Sequence, residues 1–300
     1  MLDSLLADCR LCAHSCGADR LNGKTGFCLA GKNVKIARAT LHQWEEPCIS
    51  GWRGSGTVFF ANCNLRCVFC QNHPISQQGL GREVSVERLS EIFLELMAAG
   101  AHNINLVTPT HYTPHIIQAL NIARRNGLSL PVVYNTNSYE NVETIHLLDG
   151  SIDVYLPDLK YCSDRYAARY SGVADYFAMA TAVIEKMITQ VGEVKFNKEG
   201  LLAQGVIVRH LALPGLLFDS KKVIDYLYQT FGDSIYMSLM NQYTPLHQAY
   251  KYPEINKPLQ PKHYRGLIEY CQSIGVRNAF IQESGTASPE FVPSFDLEGV

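Results

Sequence analysis

The stretch "TVFFANCNLRCVFCQN", residues 57–72, decides how the chain is read. Its opening "TVFFA" (57–61) is rich in β-branched and aromatic residues, the composition of a short strand. Three cysteines, Cys63, Cys67 and Cys70, follow within eight residues of loop. Working outward, similar short runs recur between turn residues: "NINLV" (103–107), "PVVYN" (131–135), "IDVYL" (152–156), "GVIVRHL" (205–211) and "IYMSLM" (235–240), with "NAFIQ" (278–282) as a seventh and "VKIARA" ahead of them. Between the strands lie helical patterns. Ser85 caps 86–99, which Gly100 stops, and Thr113-Pro114 opens a helix that stops at Gly127. Asp175 caps 176–190, Ser220 caps 221–231, and Pro261 opens 261–274. Six βα units imply a parallel sheet covered by helices, either doubly wound or a full or partial barrel. The glycine-rich "GWRGSGTV" precedes a strand instead of linking strand to helix, so it reads as a turn and not a nucleotide loop.

The chain has 300 residues, 47% of them apolar, and a formal net charge of −2. That balance gives no basic footprint for nucleic acid or an anionic membrane. No apolar run approaches a membrane span and no signal sequence is evident, so a cytoplasmic protein is expected. Eight of the ten cysteines fall in the first 70 residues, which favours metal ligation over a disulfide framework.

In open α/β sheets and barrels, chemistry gathers at the C-terminal strand ends. Those ends carry Cys63, Cys67 and Cys70; Thr108, Thr110, His111 and Tyr112; Asn135, Thr136 and Asn137; Asp158 and Lys160; Arg209 and His210; and Asn241, Gln242 and Tyr243. Thiolates are soft ligands suited to zinc or iron–sulfur clusters. Three cysteines on a four-iron cubane leave one iron open for a substrate or cofactor; the other reading is a zinc site completed by Cys48 or His73.

"CNLRCVFC" fits C-x3-C-x2-C and resembles the cluster motif of the radical S-adenosylmethionine (radical SAM) superfamily, including the aromatic Phe69 before the last cysteine. "CQN", "YNTN" (134–137), "PDLKY" (157–161), "VRHLALPG" (208–215), "HNINLVTPTHY" (102–112) and "SPEFVPSFDLEGV" (288–300) look like the pyruvate formate-lyase activating-enzyme group, most of all its PflX-like branch. The resemblance covers 51–300. It implies a partial (β/α)6 TIM-type barrel, with residues 1–50 as a Cys-rich front segment. It also implies a [4Fe–4S] cluster on Cys63, Cys67 and Cys70 whose open iron is chelated by S-adenosylmethionine (AdoMet). Reductive cleavage of AdoMet would release a 5′-deoxyadenosyl radical that takes a hydrogen atom from a substrate. By the same resemblance Phe69 would lie against the adenine. Asn135 and Asn137 would meet the ribose or methionine part, and Asp158, Lys160 and Arg209 would approach AdoMet's polar groups. Where the family often has "GGEP", this chain has "TPTH" (108–111), whose Thr108 and Thr110 offer oxygens to an ammonium.

Cys9, Cys12, Cys16 and Cys28 read C-x2-C-x3-C-x11-C, with His14 as an alternative ligand. Four thiolates describe a closed second site, zinc or [4Fe–4S]. Candidates to face the substrate are His111, Tyr112, His210, Asn241, Gln242, Tyr243, His247, Gln282 and Glu283. Cys162 and Cys271 read as small buried hydrophobes. The expected partners are a reduced flavodoxin- or ferredoxin-type electron donor and a substrate. That substrate is either a glycine in a glycyl radical enzyme, or a small metabolite or peptide. A monomer is expected, and a non-catalytic electron-transfer or structural metalloprotein is the remote alternative.

Overall fold

The computed structural model describes residues 2–282 and 293–300. Glu283 and the first part of the 288–300 stretch lie outside them. The strands are β1 (Val34–His42), β2 (Ser55–Phe60), β3 (Arg82–Val84), β4 (Ile104–Val107), β5 (Val132–Thr136), β6 (Val154–Pro157), β7 (Lys195–Phe196), β8 (Leu202–Leu211), β9 (Tyr236–Met240) and β10 (Ala279–Ile281). They form one sheet in the order β10-β9-β8-β6-β5-β4-β2-β1-β3, with β7 beside β8. The six expected strands β2, β4, β5, β6, β8 and β9 run parallel, and β10 adds a seventh. β2 and β10 stand apart in the strand order, so among the described residues the α/β barrel is not closed. β1 lies antiparallel on β2 and carries β3 on its far edge. The front of the chain is thereby tied to the first barrel strand.

Each crossover helix buries one stripe on the outside of the sheet. In Val86–Ala98, Leu89, Ile92, Phe93 and Leu96 face inward, and the Ser85 side chain accepts from the Arg88 amide at 3.1 Å. Apolar residues at this spacing share one helix face. Thr113–Arg125, Tyr176–Val191 and Pro261–Ser273 begin where the sequence indicates. The exception is Leu217–Phe231, which starts before Ser220 and buries it. Asp219 in its first turn accepts instead from the amides of Cys162 and Ser163 at 3.0 and 2.9 Å, tying this helix to the loop after β6.

The inner face is layered. Its lowest layer is apolar: Val133, Val154, Leu156 and Ile207 close around Cys48 and Ile49. Those two residues belong to the short helix Pro47–Ser50, which follows β1 and enters the lumen at the end opposite the cysteine loop. Above this plug the inward positions turn polar, with Asn105, Asn135 and Arg209 meeting Glu45. A strand alternates its faces with period two, so Ile207 and Arg209 share the lumen while Val208 and His210 face the helices.

Gly205 starts the lumen stretch of β8 with φ of +126°, and a Cβ there would meet the Val194 Cα at 2.7 Å. Both strain and overlap oppose a side chain. Gly205→Ala is expected to cost about 2 kcal/mol or more, read as a lower urea midpoint with an unchanged denaturant slope.

Candidate active site

The three-cysteine loop runs between β2 and the short helix His73–Ser76. Backbone bonds from Arg66 to Ser171 (3.0 Å) and from Val68 to Tyr170 (2.9 Å) pin it over the crossover after β6. Each sulfur has a polar neighbour. Cys67 lies 3.1 Å from the Ser171 hydroxyl, Cys70 lies 3.2 Å from that of Ser76, and Cys63 accepts from the Leu65 amide and the Asn137 side chain at 3.4 Å. Burial and then the charge of Cys67 push the Cys63 thiol up to about 12 and Cys70 to about 11. Lys160 works the other way on all three. None is in a disulfide. Such a set disfavours bare thiolates and suits a cationic metal centre that would neutralise them. Among the described residues no three His, Cys, Asp or Glu converge as on one ion. A cubane needs no such convergence, because each thiolate takes a different iron.

A cavity of about 220 Å³ opens beside the sulfurs, lined by Phe69, Asp158, Lys160, Arg209, Gln242 and Tyr243 among others. Asp158 is the centre of its charge pattern. Lys160 Nζ donates to one oxygen at 2.5 Å and Arg209 Nε to the other at 3.1 Å. Burial raises the carboxyl pKa, but the two cations outweigh it and hold Asp158 below the usual carboxylate range. Burial equally opposes the charges of Lys160 and Arg209, and Asp158 overcomes it in both, leaving them above their ordinary values. Arg209 also donates to Asn135 Oδ1 at 2.5 Å and to Glu45 at 3.2 Å. The Phe69 ring meets Tyr243 edge-on at 5.7 Å.

Several expected site residues are thus brought together: Phe69, Asp158, Lys160, Arg209, Gln242 and the Tyr243 ring line the cavity, while Asn135 and Asn137 adjoin it through Arg209 and Cys63. The Tyr243 hydroxyl is turned away and donates to the Ile255 carbonyl at 2.7 Å. Asn241 and Gln282 meet through the Asn241 amide, which donates to Gln282 Oε1 at 2.9 Å. Thr108 adopts a left-handed backbone with φ of +59° at the end of β4. His247 stacks on His73 at 4.5 Å.

Four placements correct the expectation. His210 points to the helix side, with Nδ1 on the Leu159 carbonyl at 2.8 Å, and burial lowers its pKa to about 4. His111 is buried against the Ala61 carbonyl at 2.8 Å, with its pKa lowered to about 3 by burial. Tyr112 is enclosed, its hydroxyl accepting from Asn62 at 3.2 Å. The Thr110 hydroxyl is taken by Glu140 at 3.0 Å. The last three follow from the short 3-10 turn Thr110–Tyr112, which rolls these side chains off the mouth and into the core.

Sequence reasoning missed Glu45, Glu46 and Glu140. Glu140 is fully buried and accepts from Thr110, Tyr134 and Thr136, and its backbone bridges to Cys12. Glu46 is buried with its pKa raised by burial, against the pull of Arg209. The adjacent acids in "WEEPC" were a legible signal, two carboxylates directly before a Pro and a Cys.

Cys9, Cys12, Cys16 and Cys28 gather in the front segment. Three are buried and Cys16 is exposed. The fully buried Arg20 donates to the Gly31 and His111 carbonyls at 2.7 and 2.6 Å, and its Nη1 lies 3.9 Å from the Cys9 sulfur. His14 is held by the Asn64 carbonyl at 2.9 Å. Asn64 Oδ1 lies 3.9 Å from the Cys63 sulfur. One residue therefore touches both His14 of the front segment and Cys63.

Comparison with known proteins agrees with this geometry. The family model for the radical SAM superfamily matches residues 57–197. The uncharacterized protein MJ0674 of Methanocaldococcus jannaschii is 30% identical over 276 residues, 90% of this chain and 75% of that protein. MJ0808 of the same organism is 26% identical over 182 residues, 55% of this chain and 53% of that protein. Among solved structures, HydG, a maturase of the [FeFe]-hydrogenase, superposes with a TM-score of 0.50 at 14% identity, covering 76% of this chain and 50% of that one. The present chain thus spans about half the length of that structure, and the likeness speaks to the fold alone. The chain belongs to the radical SAM superfamily. Membership implies a [4Fe–4S] cluster and AdoMet, and the half-buried free thiols of Cys63, Cys67 and Cys70 fit the cluster. No described helix is long and apolar enough to cross a membrane.

Burial raises the Glu140 carboxyl to about 7, against hydrogen bonds from Thr136, Tyr134 and Thr110. An acid whose folded pKa exceeds its unfolded one contributes stability at low pH that is lost as pH rises through the folded value. Between about pH 4.5 and 7 the protein is therefore expected to lose on the order of 3 kcal/mol that Glu140→Gln does not lose. Urea denaturation of both proteins across that range reads the difference.

Proposed function

We propose that this protein is a radical SAM enzyme that removes a hydrogen atom from a substrate held in the barrel lumen. The observation that carries the reading is the three-thiol loop opening onto a cavity walled by Asp158, Lys160 and Arg209. When bound, the cluster and AdoMet supply one-electron reduction and a carbon-centred radical. Cys63, Cys67 and Cys70 are the ligands. Ser171, Ser76 and Asn137 donate hydrogen bonds that stabilise their charge. Lys160 and Arg209, fixed by Asp158, present cationic groups to a carboxylate, while the Asp158 oxygens and the carbonyl oxygens at the mouth accept from an ammonium or hydroxyl. Phe69 and Tyr243 offer an apolar wall to an aromatic base.

Two substrate classes stand. Activation of a glycyl radical enzyme is carried by the sequence resemblance to the activating-enzyme group. Reaction on a small molecule or a peptide side chain is favoured by the lumen, where residues 44–47 leave a bounded cavity of about 370 Å³. A flavodoxin- or ferredoxin-type donor fits the need for an electron. The front cysteines are proposed as a closed second metal site. Its support is four free thiols in one segment, near enough for Cys9, Cys12, Cys16 and Cys28 to feel one another's charge, although among the described residues no three of them converge as on one ion; zinc and [4Fe–4S] are the two fillings their chemistry allows.

After anaerobic reconstitution with iron and sulfide, the reduced protein should give a [4Fe–4S]⁺ EPR signal that AdoMet perturbs, and 5′-deoxyadenosine should form with a strong reductant. Cys67→Ala should abolish nucleoside formation; unchanged EPR and nucleoside in that variant would sink the reading. Metal analysis of the variant lacking Cys63, Cys67 and Cys70 should then find either iron with sulfide, or zinc, lost on replacing Cys12. A metal-free protein would remove the second site.

A further inference from the structure

The cavity of about 370 Å³ lies in the lumen next to the cysteine cavity, and the two share Arg209, Met240 and Gln242 as a common wall. Its remaining surface is divided in kind. Met240, Phe280 and Ile281 form an apolar side, and Glu45 and Glu46 form an acidic one. Around the shared wall three carboxylates, Glu45, Glu46 and Asp158, face two cations, Lys160 and Arg209.

The hydrogen bonds show which carboxylate is left over. Lys160 is committed to Asp158, and Arg209 is divided between Asp158, Glu45 and Asn135. Glu45 further accepts from Asn105 and Asn135 at 3.0 and 3.3 Å. Glu46 has the Ser238 hydroxyl, and its Oε2 has no partner among the described residues although the side chain is only 8% exposed. Burying a carboxylate oxygen without a partner is costly, and such a group in a folded protein calls for a reason. A bound cation satisfies the oxygen and stabilises the ionised form of Glu46 that burial opposes.

We infer that this cavity binds the substrate by a cationic group, a primary ammonium or guanidinium, carried on an apolar stem. The cation pairs with Glu46, and the stem lies along Phe280 and Met240 toward the wall shared with the cysteine cavity. Pairing at a buried carboxylate outweighs loss of the cation's hydration only where the geometry is good, and Glu46 lines the cavity beside Ser238 and Arg209 with its Oε2 unpartnered among the described residues. The inference rests on the radical reading of the neighbouring site and names the substrate class for it. It applies equally to a free amine and to a lysine-like or arginine-like side chain in a peptide.

The test is calorimetric titration of the reconstituted protein at neutral pH with three probes of equal stem: n-hexylammonium, 1-hexanol and hexanoate. Hexylammonium should bind at least tenfold more tightly than hexanol, and hexanoate should not bind. Glu46→Gln should remove the preference and Glu46→Asp should keep part of it. Ile281→Lys, at a half-exposed position on the cavity wall, should weaken hexylammonium at least fivefold more than it weakens hexanol. Equal binding of amine and alcohol by the wild type, or a preference that survives Glu46→Gln, would overturn the inference. If Glu46→Gln does not fold, the wild-type comparison and Ile281→Lys decide. Loss of 5′-deoxyadenosine formation with the amine preference intact would count against the radical reading and not against the cavity.

Discussion

Arg209 is the joint on which the lumen depends. A largely buried guanidinium persists only where its donors find acceptors, and Asp158, Glu45 and Asn135 accept from its Nε, Nη1 and Nη2 from three separate stretches of chain. The same contacts fix Asp158 for Lys160, orient Asn135, and draw residues 44–46 into the barrel. The cysteine cavity and the acidic cavity are consequently not independent features. They are the two sides of one buried ion network.

That arrangement explains why the front of the chain cannot be regarded as an appendage in physical terms. β1 completes hydrogen bonds along β2 that would otherwise be an open edge. The Pro47–Ser50 turn plugs the lumen, Arg20 reaches the carbonyl of His111, and Asn64 touches both His14 and Cys63. A perturbation at the front cysteines has a direct route to the loop that carries Cys63, Cys67 and Cys70.

Much of the scaffold was legible locally. The strand runs and helix boundaries follow from β-branched runs, Ser85, Thr113-Pro114 and the stop glycines, because those signals act within a few residues. The displaced helix start, at Ser220, reflects Asp219 being drawn into a tertiary contact with the loop at Cys162, and two strands, Val34–His42 and Leu202–Leu211, run longer than their local patterns. For the site, residues on the strands themselves, Asn135 and Arg209, could be placed by counting alternation. His210 follows the same rule in the opposite sense, being one residue beyond Arg209. His111 and Tyr112 could not be placed so, because a 3-10 turn has no period-two rule to apply.

The sequence by itself determined a three-thiol loop at the end of a strand, since the spacing of C-x3-C-x2-C is a local property of the chain, and its likeness to the radical SAM motif supplied the class of chemistry. It also determined the repeated βα architecture. Tertiary structure alone decided which polar residues share the lumen. Glu45 and Glu46 lie more than 160 residues from Arg209 in sequence, and no periodic pattern links them. They meet because β1 doubles back on β2 and delivers the next turn into the lumen. There a low-dielectric interior makes each unpaired charge expensive, so the balance of carboxylates and cations follows from the fold and not from any one segment.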